Sequence, residues 1–308
     1  MDKSKAIIGT IGRIIIGLVF ILSAVLKYLT IESFDLFFFS HKIFPWEVTL
    51  FATRLLISLE ATIGLMLVIG IYPKLSRFLT FTMLIGFTIY LLIKPLLFDV
   101  STENCFCFGE LVPLTDTQTI IKNVILILLS ITLFWSKWWK PKYAKYIFIG
   151  IIIGIVATAF IVKPPDFIQA KVHNHSVSIR SEVFESVKEL DNVKALNINK
   201  GKKIVCWYST SCKYCKRTAK KLDIIIERHN LDRNSFIQIF GGKEKPLTEF
   251  YKQTDSKPLQ HTFIHVIPFL NTTHGNMPVI FLLDNGKIVK LYKMTTIDEG
   301  FIVSFLNQ

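Results

Sequence analysis

The sequence predicts an α-helical membrane domain followed by an α/β domain, and three observations carry this prediction. Of the 308 residues, 51% are hydrophobic, and the mean hydropathy is +0.45, which is too apolar for an ordinary soluble enzyme. Nearly all of the long apolar runs precede Lys163. Beyond that residue the composition is mixed, with strand-like and amphipathic helical patterns. Disordered and fibrous proteins are excluded by this composition.

Five stretches approach the roughly 20 apolar residues that a helix needs to cross a bilayer. The first stretch carries two basic residues and is followed by four more, so we interpret it as a retained helix rather than a signal peptide. The five predicted spans are about Ala6–Leu29, Thr49–Tyr72, Leu75–Leu97, Thr117–Trp135 and Tyr146–Val162.

The charge distribution predicts the orientation of these spans. The formal net charge of +13 is spread over both parts of the chain, which does not resemble a nucleic-acid-binding arm, so no nucleic-acid partner is expected. The positive-inside rule places the lysine-rich segments in the cytoplasm; these contain Lys3, Lys5, Lys74, Arg77, Lys137, Lys140, Lys142 and Lys145. The opposite loops carry Glu32, Asp35, Glu47, Asp99, Glu103, Glu110 and Asp116. With five spans in a bacterial inner membrane, everything after Val162 is then periplasmic.

Among the ionisable residues inside the predicted spans, Arg13, Arg54 and Glu60 need an explanation. Each unpaired charge at such depth costs at least about 2.5–3.5 kcal/mol. We therefore expect Glu60 to pair with Arg13 or Arg54, which leaves open whether Arg13 and Glu60 form a structural ion pair or a ligand or proton site. The first outer loop is rich in aromatic residues and predicts a lipid-facing anchor in the membrane interface; these residues are Phe37, Phe38, Phe39, Phe44 and Trp46.

The second outer loop contains Cys105-Phe106-Cys107-Phe108-Gly109, and here a family resemblance appears. Together with Arg13-x3-Gly17-x2-Phe20-x2-Ser23-x3-Lys27 and Glu60-x3-Gly64, this loop resembles the DoxX/MauE class of small four-helix membrane proteins. The resemblance implies a redox membrane domain over 1–140, because MauE-like proteins are associated with disulfide formation in exported proteins and some DoxX relatives with quinone chemistry. One departure is Phe106, where the family commonly has glycine.

A disulfide between residues i and i+2 closes a very small ring, so a Cys105–Cys107 bond is expected to be strained and oxidising. Two thiolates on a loop are also a soft-metal motif, suited to Cu(I) or zinc. No histidine lies nearby in the sequence, so no metal site is expected. Whether the two cysteines bond to each other or form alternate mixed disulfides with Cys212 stays open at this point.

In the second part of the chain, a strand pattern over Lys202–Ser209 leads directly into Cys212-Lys213-Tyr214-Cys215 and an amphipathic helix. The N-terminus of a helix stabilises a thiolate through its free N–H groups and its dipole. We therefore assign Cys212 as the nucleophile and Cys215 as the resolving thiol.

The segment Gly275–Val289 predicts a strand, an Asn-Gly hairpin and a partner strand. With the Cys-x-x-Cys motif, it is similar to the thioredoxin family over roughly Asn192–Gln308. The resemblance implies a thioredoxin-like domain at 167–308, joined by a fifth span and linker at 141–166, with Pro278 in the cis form and Met277 facing the active cysteines. Cys206 stands where thioredoxins usually carry a buried acid, and we interpret it as a buried core thiol.

These features predict a membrane-anchored thiol–disulfide oxidoreductase with a catalytic set of Cys212, Cys215, Cys105, Cys107 and Pro278. Exported protein thiols are the expected partners of Cys212–Cys215. No cysteine lies in a span or an inner loop, so a membrane quinone, rather than a thiol relay from the cytosol, is the expected partner of Cys105–Cys107. The buried charges Arg13 and Glu60 are the expected quinone site, if they do not form a structural ion pair. No tightly bound cofactor is expected. The alternatives are a reductase that supports cytochrome or metalloprotein maturation and a copper-handling membrane protein.

Overall fold

The computed structural model describes residues 3–97, 105–139, 141–166, 168 and 181–307. Asp99, Glu103 and Lys140, three of the loop charges used above for orientation, lie outside the described residues. The chain divides into two compact units, residues 1–165 and residues 166–308.

Within the described part of the first unit, five helices are long and apolar enough to cross a membrane. They are α1 (Lys3–Leu29), α3 (Trp46–Ile69), α4 (Pro73–Leu97), α5 (Asp116–Ser130) with its 3-10 continuation Ile131–Phe134, and α6 (Ala144–Ile161); the short helix α2 (Ile31–Phe39) follows α1. The predicted bundle is confirmed, and the chain is a multi-pass membrane protein.

The core of this bundle is built by α1, α3, α4 and α5. Its buried side chains come from all four helices and the 3-10 turn: Ile16, Phe20, Ile63, Leu67, Leu84, Leu126 and Leu133. Helices α1 and α3 approach closely because two glycines meet at their crossing, where a Cβ on Gly64 would lie 2.8 Å from the carbonyl oxygen of Gly17. Helix α6 packs against α3 and buries Ala159 alone among its described residues. The fold is thus a four-helix core with a fifth span.

The aromatic segment after α1 does not form the lipid-facing anchor that the sequence predicted. Helix α2 turns Phe37 and Phe39 into the protein, where they are 4% and 0% exposed, and Trp46 is 4% exposed. Phe44 alone of the five is clearly exposed, at 40%. The reason is that another part of the protein covers these rings. Phe37, for example, stacks on Phe106 with ring centroids 4.6 Å apart.

The second unit is a five-stranded sheet with helices. In chain order it contains α7 (Ser181–Lys188), α8 (Asp191–Lys194), β1 (Lys202–Tyr208), α9 (Lys213–Arg228), β2 (Phe236–Gly241), α10 (Thr248–Thr254), β3 (Gln260–Ile264), α11 (Val266–Thr273), β4 (Val279–Asp284), β5 (Lys287–Lys293) and α12 (Glu299–Asn307). The strand order is β3-β2-β1-β4-β5. Strands β1, β2 and β3 are parallel, and β4 runs antiparallel to both β1 and β5.

Strand β1 lies at the centre of this sheet because both of its faces are apolar. One face places Val205 and Trp207 in a core with side chains from β2 and β4. The predicted hairpin between β4 and β5 turns at Asn285 and Gly286, both with positive φ, as an Asn-Gly type I′ turn requires. This mixed sheet confirms the predicted thioredoxin-like α/β fold.

Candidate redox sites

The first candidate site is the start of helix α9. Cys212 is the N-cap residue of this helix, and its Sγ accepts a hydrogen bond from the backbone N–H of Cys215 at 3.4 Å. The Sγ of Cys215 accepts one from the N–H of Ser209, also at 3.4 Å. Cys212 is half-buried, whereas Cys215 is fully buried and both are free thiols here. The partly exposed sulfur at the helix N-terminus is therefore the one placed for attack.

Burial raises the pKa of the Cys215 thiol well above its ordinary value, so this thiol is protonated at neutral pH. The surroundings of Cys212 are basic: Lys213 lies over the Tyr214 ring, 5.0 Å from its centroid, and Arg217 approaches the same ring at 6.0 Å. Cations and a helix N-terminus favour a thiolate. The pair therefore combines a thiol in a thiolate-stabilising position with a protonated thiol behind it.

Met277, Pro278 and Cys206 are the residues that the sequence places around this pair. The peptide bond between Met277 and Pro278 is cis, as the thioredoxin resemblance implied, and Met277 packs against the core of the sheet. Cys206 is 1% exposed in β1, and burial raises its pKa to about 12. Tyr208, two residues along the same strand, is fully buried between Phe240 and Phe250. The position of the missing acid is thus occupied by a neutral thiol.

The second candidate site is a disulfide between Cys105 and Cys107. Both residues are buried, at 1% and 2% exposure. The N–H of Cys105 donates to the carbonyl of Leu114 at 3.0 Å. The Thr119 hydroxyl lies 2.9 Å from the Sγ of Cys105 and 3.2 Å from the Sγ of Cys107. Thr119 is in the first turns of α5, whose N-terminus is closed by a capping box between Thr115 and Gln118, so this pair also lies beside a helix N-terminus.

Phe106, the departure from the family pattern, has a φ of +55°, in the left-handed region that favours glycine. The loop nevertheless closes with phenylalanine at this position. Its ring is held by the stacking contact with Phe37 described above, and aromatic pairs of this kind contribute about 0.5–1.5 kcal/mol beyond burial. Packing against α2 thus offsets the backbone cost of the bulky residue.

A cavity of about 240 Å³ lies beside this disulfide within the membrane unit. Most of its wall is apolar and aromatic, including Phe34, Phe87 and Leu126. Cys105 and Cys107 form part of the wall, and a few polar groups converge on the same space: Ser23, Lys27, His41, Glu60, Tyr90, Lys122 and Asn123. An apolar cavity with a small number of convergent polar groups is the usual form of a small-molecule site.

The structure corrects the expected partner of Glu60, which is Lys27 and neither arginine. The Lys27 Nζ donates to both carboxylate oxygens, at 2.5 and 2.7 Å, and to the Ser23 hydroxyl at 3.0 Å. Ser23 in turn donates to the carbonyl oxygen of Cys107 at 2.7 Å. The physical reason is spacing: Ser23 and Lys27 are four residues apart on α1 and therefore share one helix face. A buried ion pair is thus linked by hydrogen bonds to the two-cysteine loop.

The two arginines have other roles. Arg13 donates to the carbonyls of Leu67 and Val68 at the end of α3, where a cation complements the negative end of the helix dipole; it is not among the residues that line the cavity. Arg54 pairs with Asp35 of α2 at 3.2 Å, with both side chains 3% exposed. The expected pairing of Glu60 with Arg13 or Arg54 is therefore wrong, and Asp35, expected in an outer loop, is buried in α2.

Sequence reasoning missed several of the polar residues around the cavity. Lys122 lies within the α5 span and lines the cavity, and a lysine in an apolar run was itself a signal. His41 and Tyr90 are joined by a hydrogen bond of 2.6 Å between Nε2 and the hydroxyl. They are 49 positions apart, so nothing in the sequence indicated this contact. In the described part of the chain, no group of three or more His, Cys, Asp or Glu side chains is placed to hold a metal ion.

Comparison with known proteins agrees with both units. The family model described as methylamine utilisation protein MauE matches residues 5–136, the region that folds into the four-helix core. The membrane domain is MauE-like. The chain is also similar to protein TlpB of Flavobacterium psychrophilum, with 28% identity over 92% of this chain and 90% of that protein.

The TlpB match covers 92% of this chain and therefore spans both units. Combined with the Cys-x-x-Cys motif at the start of α9 and the disulfide in the membrane domain, these similarities indicate a membrane-bound thiol–disulfide oxidoreductase.

Proposed function

We propose that this protein oxidises thiols of exported proteins and passes the electrons to a membrane quinone. Cys212–Cys215 exchanges disulfides with the exported proteins on the periplasmic side of a bacterial inner membrane. Cys105–Cys107 then reoxidises that pair. Each exchange is a thiolate attack on a disulfide sulfur through a mixed disulfide.

The observation that carries the proposal is a second cysteine pair that forms a disulfide in the wall of a cavity. Cys212 is the N-cap of α9, a position that favours a thiolate. The sulfurs of Cys105 and Cys107 lie beside the Thr119 hydroxyl. A disulfide that only stabilised a loop would not need to line a cavity, so the two pairs support a relay.

The exchange steps balance as follows. The disulfide form of Cys212–Cys215 accepts two electrons from a substrate dithiol, which leaves as a disulfide, and both active thiols are then reduced. The Cys212 thiolate next attacks one sulfur of the Cys105–Cys107 disulfide and forms a mixed disulfide with it. Cys215 then attacks the Cys212 sulfur, which restores the Cys212–Cys215 disulfide and releases the membrane thiol. The membrane pair is left as two thiols, and its return to the disulfide releases two electrons and two protons.

A quinone is the acceptor class that fits this membrane pair. When bound, a quinone supplies the uptake of two electrons and two protons. The wall of the cavity beside the disulfide is largely apolar, contains several aromatic rings and carries proton-exchanging side chains. All five cysteines lie outside the predicted cytoplasmic segments, so the sequence offers no thiol route to the cytosol.

The direction of electron flow separates this proposal from its main alternative, a reductase that supports cytochrome or metalloprotein maturation. Purified full-length protein is reduced, freed of reductant and mixed with a soluble ubiquinone or menaquinone analogue. We expect quinol to form with loss of thiols in a ratio of one quinol to two thiols. The quinone arm of the proposal fails if the analogue stays oxidised while Cys212 still exchanges with a model disulfide.

Copper that purifies with the protein and disappears in Cys105→Ser would favour a copper-handling role instead.

A further inference from the structure

The cavity beside Cys105–Cys107 has a polar end whose parts are connected to one another. Glu60 and Lys27 form an ion pair whose side chains are 12% and 5% exposed. Lys27 also donates a hydrogen bond to the Ser23 hydroxyl, and the Ser23 hydroxyl donates one to the Cys107 carbonyl oxygen. All of these residues line the same cavity as the disulfide sulfurs. An ion pair that only stabilised the bundle would not need hydrogen bonds that lead to the two-cysteine loop.

A second buried ion pair in the same unit provides the contrast. Arg54 and Asp35 are buried as deeply as Lys27 and Glu60, and the Thr53 hydroxyl donates to Asp35 at 2.5 Å. Neither member of that pair is among the residues lining the cavity. Of these two buried ion pairs, only Lys27–Glu60 borders the space beside the disulfide.

We infer that this cavity is the quinone headgroup site, and that Lys27, held by Glu60, donates the proton to the acceptor oxygen. This inference rests on the proposed function and names the site of its electron acceptor. The cavity size agrees, since an apolar cavity of roughly 150 Å³ holds benzene and this one is about 240 Å³. The aromatic side chains of the wall contribute ring contacts, and its polar groups fix the orientation of the headgroup.

The three N–H donors of Lys27 have acceptors in the structure, the two Glu60 carboxylate oxygens and the Ser23 hydroxyl, so the acceptor oxygen would take the place of one of these partners. Glu60 fixes the position of the Lys27 ammonium, which donates to both of its carboxylate oxygens. The two protons that leave the Cys105 and Cys107 thiols are balanced by the two taken up at the acceptor oxygens. Lys27 donates one proton to the acceptor oxygen and then takes up a proton released by the thiols, so the ion pair is unchanged after each turnover.

The site is tested by photolabelling the full-length protein in detergent with an azido-substituted ubiquinone analogue. The labelled peptides are located by mass spectrometry, and we expect them in residues 83–90 or 105–108. Met83→Trp fills the cavity, because Met83 is in its wall, and should reduce labelling at least fivefold. Leu79→Trp is the matched control, since Leu79 is also half-buried, lies one turn earlier on α4 and is not in the wall; its labelling should stay within twofold of the wild type.

The role of Lys27 is tested by the double variant Lys27→Gln/Glu60→Gln, which removes both charges together. Arg54→Gln/Asp35→Asn does the same to the second ion pair and is its control. We expect the first variant to slow quinone reduction at least tenfold and to change its pH profile, with Cys212 exchange unchanged. The control should keep the wild-type pH profile.

The outcomes separate the inference from the function on which it rests. Labelling outside the cavity, or equal labelling of Met83→Trp and Leu79→Trp, overturns the site while quinone reduction and Cys212 exchange persist. A wild-type pH profile in Lys27→Gln/Glu60→Gln overturns the proton-donor role. Absence of quinone reduction by the wild type overturns the quinone arm of the proposed function, and the inference with it.

Discussion

Cys212 and Cys215 are three residues apart, yet the protein gives their thiols different environments. Cys212 is half-buried at the helix N-terminus, while Cys215 is fully buried one turn later. Desolvation raises the pKa of Cys215 and that of Cys206, to about 12, because burial penalises the charged thiolate. The division of labour between nucleophile and resolving thiol therefore follows from burial.

This difference predicts the order in which the reduced thiols react. A raised pKa keeps a thiol protonated below that pKa, and each unit of difference is a tenfold change in thiolate fraction. In the reduced full-length protein at pH 7, iodoacetamide should modify Cys212 at least about tenfold faster than Cys215 or Cys206. Timed labelling with peptide mass spectrometry from pH 6 to pH 10 measures this, and the two buried thiols should gain reactivity only at the alkaline end.

Cys212→Ser is the control, since it should remove the fast-reacting site without exposing the others. Faster modification of Cys215 than of Cys212 at pH 7 would contradict the assignment of Cys212 as the nucleophile.

At the scale of elements, the membrane domain depends on close contact between α1 and α3. A Cβ on Gly64 would meet the Gly17 carbonyl oxygen at 2.8 Å and the Cγ1 of Ile21 at 2.7 Å. Small residues at a helix crossing let the two backbones approach closely and make more van der Waals contacts. These contacts drive helix association in a membrane, because the surrounding lipid is itself apolar and the hydrophobic effect contributes little. This crossing places Lys27 of α1 against Glu60 of α3, so the glycines also position the polar end of the cavity.

Gly64→Ala should therefore lower the thermal midpoint of the protein in detergent. The added methyl forces backbone or side-chain shifts that typically cost about 1–3 kcal/mol. Gly86→Ala is the matched control, because an added Cβ at Gly86 of α4 has no atom within 4 Å, and it should leave the midpoint unchanged or slightly raised. Equal losses in the two variants would contradict the role of the crossing.

Local patterns predicted the elements well because each element is encoded in its own segment. The strand before Cys212, the helix after it and the Asn285-Gly286 turn all follow from neighbouring residues. Contacts between segments did not follow in the same way. The Lys27–Glu60 pair and the burial of Phe37 depend on how α1, α2 and α3 are rotated about their axes, and apolar residues on every side of a membrane helix leave that rotation undetermined.

At the scale of the whole molecule, the proposed relay depends on where the two units face the membrane. An odd number of spans places the N-terminus and the C-terminal unit on opposite sides. It also places the loop after the third span on the side of the C-terminal unit, so both cysteine pairs would share the periplasm. The described residues contain five helices long and apolar enough to be these spans, and the lysine-rich segments predict their orientation.

The most direct test of the central claim is thiol trapping in intact membranes with a mass-tagged maleimide. We expect Cys212–Cys215 to be oxidised in the wild type and reduced in Cys105→Ser/Cys107→Ser, because the membrane pair drives its oxidation. Cys206→Ser is the control and should match the wild type. If instead the wild type holds Cys212–Cys215 reduced and the double variant traps it oxidised, electrons flow outward through the membrane domain, and the claim that this protein is a thiol oxidant is wrong.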